Sequence, residues 1–207
     1  MTLVGFKRIK IQPFDADDKP SGNLIVIEGK PNQGATSTAE ISGLSKEATK
    51  VAGSDIDYWI SRKGVGDVKV EFGILDFPDG ASDRVLGYQV NENKITYMGN
   101  TTEAPYVGVT MEQEDAQGNK AVLGFFRGTM ARDKISAKTL DPAETFKPEA
   151  ETYTLSVIAS TDDGPQNGQY VGKYVGTDAA VFEELEKEVL KTATTTAPVT
   201  DPKTRAN

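Results

Sequence analysis

The chain has 207 residues, with 31 Asp and Glu against 23 Lys and Arg, a formal charge of -8, and neither cysteine nor histidine. This composition excludes disulfide frames, thiolate or imidazole metal sites and any nucleophile relay built on Cys or His. The acidic balance argues against a free-standing nucleic-acid binder, which needs clustered Lys and Arg to neutralise phosphate. A hydrophobic share of 37% is low for a compact globule, so part of the chain is expected to stay unpacked when alone. A run of about twenty apolar residues, the length a membrane helix needs, is missing, and the first residues lack the charged start and long apolar middle of a signal peptide. The expectation is a protein made and kept in the cytoplasm, with no membrane anchor.

Residues 4–14 read as a first strand, with Phe6, Ile9 and Ile11 set among Lys7, Arg8 and Lys10. A polar turn follows at 15–23. Residues 24–28 then carry four consecutive apolar side chains, the mark of a strand buried on both faces. Residues 36–44 alternate Thr38, Glu40 and Ser42 against Ala39 and Ile41, a third and weaker strand. Residues 45–62 show no clean period of either kind, yet hold Val51, Ile56, Tyr58, the single tryptophan Trp59, and Ile60. Such a stretch is either a connection folded over its own core or an arm that orders against a neighbouring subunit, since aromatics are enriched in interface cores.

The clearest strand spans residues 68–74, where Val68, Val70, Phe72 and Ile74 alternate with Lys69, Glu71 and Gly73. Pro78-Asp79-Gly80 is a turn, after which Ser82 is expected to cap a short helix over 83–87, with Val85 and Leu86 on the sheet and Asp83 and Arg84 facing water. A strand is possible at 94–98. Residues 106–113 and 120–130 are two apolar strands joined by a short Gly-containing loop, which predicts a β-hairpin. Within the second of them Gly124 and Gly128 mark bends or close approaches. A polar loop covers 133–148, and a last strand covers 153–160, with Tyr153, Leu155, Val157 and Ala159 on one face.

Residues 170–176 are ambiguous. Thr177 or Asp178 can cap a helix over 179–191, in which Phe182, Leu185 and Val189 form one apolar stripe. The stripe packs on its own sheet or on an adjacent subunit; the need for a second layer over the sheet favours the first. The Thr-, Ala- and Pro-rich segment 192–207 reads as a flexible tail. The division expected is thus a β domain over 1–176 with an assembly loop at 45–62, the C-terminal helix at 177–191 packed on it, and the tail.

Carboxylate pairs at Asp17/Asp18 and Asp162/Asp163 lie in loops where neighbouring side chains point apart, and they read as solvated charge rather than glycosidase machinery. Gly64-Val65-Gly66 precedes a strand and lacks the third glycine of a dinucleotide fingerprint. The segment 15–22 has Lys19 and Pro20 where a calcium loop needs ligands. The expectation is no enzyme, no cofactor and no metal.

The combination Tyr58-Trp59-Ile60-Ser61, Gly64-Val65-Gly66-Asp67, Leu75-Asp76-Phe77-Pro78 and Gly124-Phe125-Phe126-Arg127-Gly128 resembles the major tail protein (tail-tube protein) family of siphophages of Gram-positive bacteria. The resemblance runs from Val4 to about Ser160. It implies a mainly β fold, a two-sheet sandwich or barrel-like tail-tube fold with a short flanking helix, and a structural virion protein that polymerises as stacked hexameric rings through which DNA is ejected. It also implies tape-measure and tail-terminator or baseplate proteins as partners. On this reading Val51, Ile56, Tyr58, Trp59 and Ile60 are subunit-interface candidates, and Glu40, Glu71 and Glu112 are lumen-facing candidates. The alternative is an all-β ligand-binding module for a carbohydrate or receptor, with Tyr58 and Trp59 as platforms.

Overall fold

The computed structural model describes residues 3–30, 33–78, 80–139 and 145–192. Strands β1 (Leu3–Pro13), β2 (Ile25–Ile27) and β3 (Ala35–Ser42) are followed by a small hairpin, β4 (Thr49–Gly53) and β5 (Ile56–Ser61). Next come β6 (Lys69–Asp76), helix α1 (Ala81–Val85) and a two-residue pair, β7 (Gln89–Val90) with β8 (Thr96–Tyr97). The long strands β9 (Tyr106–Asp115) and β10 (Lys120–Ala131) precede β11 (Glu151–Ile158), β12 (Val171–Gly176) and helix α2 (Ala179–Leu190).

Eight of the strands form one antiparallel sheet in the order β2-β1-β9-β10-β11-β6-β3, with β12 added to β10. The period-two residues explain why it rolls up. Ile9, Ile11, Val107, Val109, Phe125, Leu155, Val70 and Phe72 all point to one side and are fully buried. The sheet curls around them until edge strand β3 meets β1: the Thr36 hydroxyl donates to the Phe6 carbonyl, and the Phe6 and Phe72 rings stack 6.3 Å apart. The result is barrel-like, and α1 closes one end by adding Val85 and Leu86 to the core.

Strand β10 is the hub. One edge pairs with β9; the other is shared, by β12 from Lys120 to Phe125 and by β11 from Arg127 to Ala131. At the break, the Phe126 N–H donates to the Tyr170 carbonyl and the β9 register slips between Phe125 and Gly128. Ordinary alternation sends Phe125 into the barrel and Phe126 outward into a second, smaller cluster with Val189, Leu190 and Leu185 of α2, and the irregularity shifts the phase so that Met130, five residues after Phe125, faces the barrel again.

Helix α2 lies on the outer face of β9, β10 and β12 because three glycines make room for it. A methyl group on Gly108 would strike the Val189 carbonyl, one on Gly124 would strike the Val189 side chain, and one on Gly172 would strike Leu185. The helix is capped by Asp178, which accepts from the Ala180 N–H at 2.9 Å. It ends at Lys191, in the left-handed conformation, whose ammonium bonds Asp18 at 2.7 Å and Asp162 at 2.8 Å. Val189 is buried, and Leu185 and Phe182 are half-buried, the Phe182 ring lying 5.6 Å from the Lys120 ammonium.

The structure corrects several sequence expectations. The stretch 45–62 is not aperiodic: Ser54 and Asp55, both with positive φ, make the two-residue turn of a β-hairpin. Its pattern is hidden because both faces are exposed and a bulge between Val51 and Ala52 breaks the alternation. Helix α1 starts at Ala81, after Gly80 in the left-handed region, so Ser82 lies inside it and caps nothing. Asp83 does not face water but accepts the Thr96 hydroxyl at 2.7 Å, which ties β8 to α1. The ambiguous 170–176 is a strand because β10 offers it a free edge. Residues 193–207 of the expected tail and 140–144 of the expected 133–148 loop lie outside the described residues.

Candidate assembly surfaces

The five interface candidates come together on the β4–β5 hairpin. Val51 stands opposite Trp59, Lys50 opposite Ile60 and Gly53 opposite Ile56. Among the described residues this two-stranded sheet pairs only with itself. Tyr58 is 78% exposed and Trp59 51%, and Ile56 and Ile60 are as open. The polar contact that braces the hairpin is the Lys50–Asp57 ion pair at 2.6 Å. A hairpin of this size is marginal in water without a third strand or a packing partner. The side chains that could supply that stability point into solvent.

The lumen candidates separate. Glu40 and Glu71 are directly opposed across β3 and β6, both exposed, with Thr154 of β11 next in line. Neither has an ion-pair partner among the described residues. Like charges so placed destabilise the strand pair. Glu112 is on the same outer surface but beside α2, where Arg8 holds it at 3.2 Å and Lys10 at 3.1 Å. Its charge is compensated within a chain of alternating sign that continues from Lys10 to Glu186 and from Arg8 to Glu28 and Lys30. The Lys30 hydrogen bond, with help from Arg8, holds the Glu28 carboxyl below the usual carboxylate range.

Sequence reasoning missed a second exposed apolar site. The β7–β8 pair and its turn present Val90, Ile95, Tyr97 and Met98 to solvent. The turn is preformed: the Asn91 side chain accepts the N–H groups of Asn93 at 2.9 Å and Ile95 at 2.8 Å. The signal was present as an Asx turn between apolar residues, but the elements were too short to show a period.

A cleft of about 1150 Å³ lies where residues 132–139 and 145–150 border β6 and β11, lined by Arg132, Tyr153 and Glu151 among others. No hairpin residue lines it. Burial raises the Tyr153 phenol above its ordinary value, and Arg132 bonds both that hydroxyl and Glu151. Among the described residues, no group of three or more acidic side chains is arranged to hold a metal ion, and no helix is long and apolar enough to cross a membrane.

A family model described as phage tail tube protein matches residues 13–196. No curated protein matches the chain.

Proposed function

Given that the chain belongs to the phage tail tube protein family, and so to the structural proteins of the phage tail, we propose that it polymerises as stacked hexameric rings. These form the tail tube, the conduit for DNA ejection. Its principal partner is itself. A tape-measure protein inside the tube and terminator or baseplate proteins at its ends complete the set, and the protein reaches the virion tail after synthesis in the bacterial cytoplasm. Its role is structural, with no catalytic step.

The observation that carries this reading is the β4–β5 hairpin, an element with open apolar faces on both sides and little to hold it in the isolated chain. A ligand platform needs a concavity around its aromatics, and the cleft over β6 and β11 is not lined by Tyr58 or Trp59; this favours the assembly reading over a carbohydrate- or receptor-binding module. Glu40 and Glu71 are the lumen-facing residues we favour, because an uncompensated acidic wall lets a polyanion slide rather than adhere. Glu112, neutralised by Arg8 and Lys10, adds little to that field.

Negative-stain electron microscopy of concentrated protein tests the proposal. Rings or tubes of uniform diameter are expected. Featureless monomers at every concentration refute it.

A further inference from the structure

The chain contains a single Asn-Gly step, Asn167-Gly168. Such a step is prone to modify itself, because the backbone nitrogen of the second residue attacks the asparagine Cγ and glycine, lacking a Cβ, leaves that approach unobstructed. The attacking nitrogen loses its proton to water, and the side-chain nitrogen takes up a proton and leaves as ammonia. Water then opens the resulting succinimide ring at either carbonyl, giving aspartate or isoaspartate. One water is consumed and one ammonia released, with no cofactor or oxidant.

Asn167 lies exposed in the segment 159–170 between β11 and β12, so burial does not protect it. Hydrogen bonds engage both reacting groups instead. The Gly168 N–H, which must ionise to attack, donates to the Ser160 carbonyl at 2.9 Å, and the Asn167 amide donates to the Asp162 carbonyl at 3.0 Å. The neck of the segment is closed by the buried Ser160, whose N–H donates to the Gln169 carbonyl at 2.8 Å. Two cations brace it from outside. Arg127 donates to the Thr161 hydroxyl at 2.9 Å, and Lys191, which ends α2, binds the Asp162 carboxylate at 2.8 Å and that of Asp18 at 2.7 Å. The residue whose carboxylate is gripped from the end of α2 is therefore the one whose carbonyl restrains the Asn167 amide.

We propose that Asn167 is a self-modification site gated by the end of α2: while Lys191 grips Asp162 the amide and the Gly168 nitrogen stay in their hydrogen bonds, and release of the grip frees the segment to convert. Closing again does not undo the change. Conversion removes the donor to the Asp162 carbonyl and sets a new carboxylate near Asp162 and Asp163, and the isoaspartate product also lengthens the backbone of the turn by a methylene. A chain that stays shut keeps its asparagine, and one that lingers open is marked permanently.

The full-length chain is aged at mildly alkaline pH and conversion of Asn167 is followed by peptide mapping, with the urea-unfolded chain giving the ungated rate. The folded parent is expected to convert more slowly by the factor that protects its Gly168 amide from hydrogen exchange, since both events need the same opening. Lys191→Met and Asp162→Asn each break the grip and leave the Asp162 carbonyl in place. Either should quicken conversion roughly tenfold, the effect of weakening the closed state by about 1.4 kcal/mol. Lys46→Met, at an exposed cation without an ion-pair partner among the described residues, should not. Should the two grip variants fail to fold, hydrogen exchange in the parent decides: the amides of Gly168 and of Leu190 in the last turn of α2 are expected to open with the same free energy. A folded parent that converts as fast as the unfolded chain, folded grip variants that age like the parent, or two amides that open independently overturn the inference.

Discussion

Val189 of α2 rests on Gly124 of β10 so closely that a methyl group added to the glycine would stand 2.5 Å from its Cγ2 atom. The helix is therefore seated by the absence of side chains beneath it as much as by the apolar residues it carries. Gly124→Ala should cost about 1–3 kcal/mol through overpacking, read as a lower urea midpoint. Gly99→Ala, where the new methyl group meets nothing within 4 Å, should be near neutral. Equal losses at both positions would contradict this account of how α2 is held.

Trp59→Ala should leave the monomer's unfolding midpoint within about 0.5 kcal/mol of the parent, because the side chain is exposed on a hairpin outside the core. The same change should abolish long tubes in electron microscopy, since a truncated aromatic anchor at an interface centre costs about 2 kcal/mol or more per contact. Normal tubes from the variant would remove Trp59 from the assembly surface.

The facing carboxylates make a prediction with two signs. Glu40→Lys alone should stabilise the monomer by about 0.2–1 kcal/mol, because it replaces a cross-strand repulsion with an attraction. Glu40→Lys with Glu71→Lys restores repulsion of the opposite sign. If these positions line the bore, the doubly changed tubes should retain DNA at low salt and release it as salt rises. Tubes that bind DNA no better than the parent would exclude them from the lumen.

Acid should act through two carboxyls held below their ordinary values. Asp115 is held chiefly by the Asn119 amide, at 2.9 Å, and then by the N–H groups of Asn119 and Gln117 in the β9–β10 turn; Glu28 is held by Lys30 and then Arg8. A group depressed on folding contributes stability above its unfolded value, about 4 for these side chains, and that stability is lost as pH falls through the folded value. The urea midpoint is therefore expected to be flat from about pH 5.5 to 8.5, where no histidine or cysteine titrates, and to fall below about pH 4. Asp115→Asn should make the acid limb shallower; an unchanged limb would assign the acid loss elsewhere.

Where a residue's environment alternated, the sequence could be read. Val68 to Ile74 appear as β6 because one face is buried in the barrel and the other wet, and the β9–β10 hairpin follows from two such runs and a glycine turn. The β4–β5 hairpin was illegible for the converse reason: with no buried face, Ile56, Tyr58 and Ile60 carry no periodic signal, and the information lies in a two-residue turn of Ser and Asp rather than the more telling Asn-Gly. Phe182, Leu185 and Val189 were read as one stripe from their spacing, and burial rises along it toward the two glycines beneath Val189, where Leu190, outside the stripe, is buried as well. Glu40 and Glu71 could each be nominated as outward acids, but their confrontation depends on strand register between residues 31 apart in sequence.

The pairing of β1 with β9 spans about a hundred residues of chain, and it bears on how the protein is made. During synthesis β1 can pair early with the short β2, but its other edge waits for roughly half the chain before β9 exists, whereas β9 and β10 can close their hairpin at once. In that interval the β9-facing edge of the strand that carries Ile9 and Ile11 stays open on every nascent chain, in a cell producing many copies of it. Lys7, Arg8 and Lys10, threaded through the same strand, keep waiting copies apart by repulsion. In the finished fold Arg8 and Lys10 are neutralised by Glu112, Glu28 and Glu186. The same cations thus guard the unfinished chain and clamp the finished one, and their guarding role ends when their acidic partners arrive.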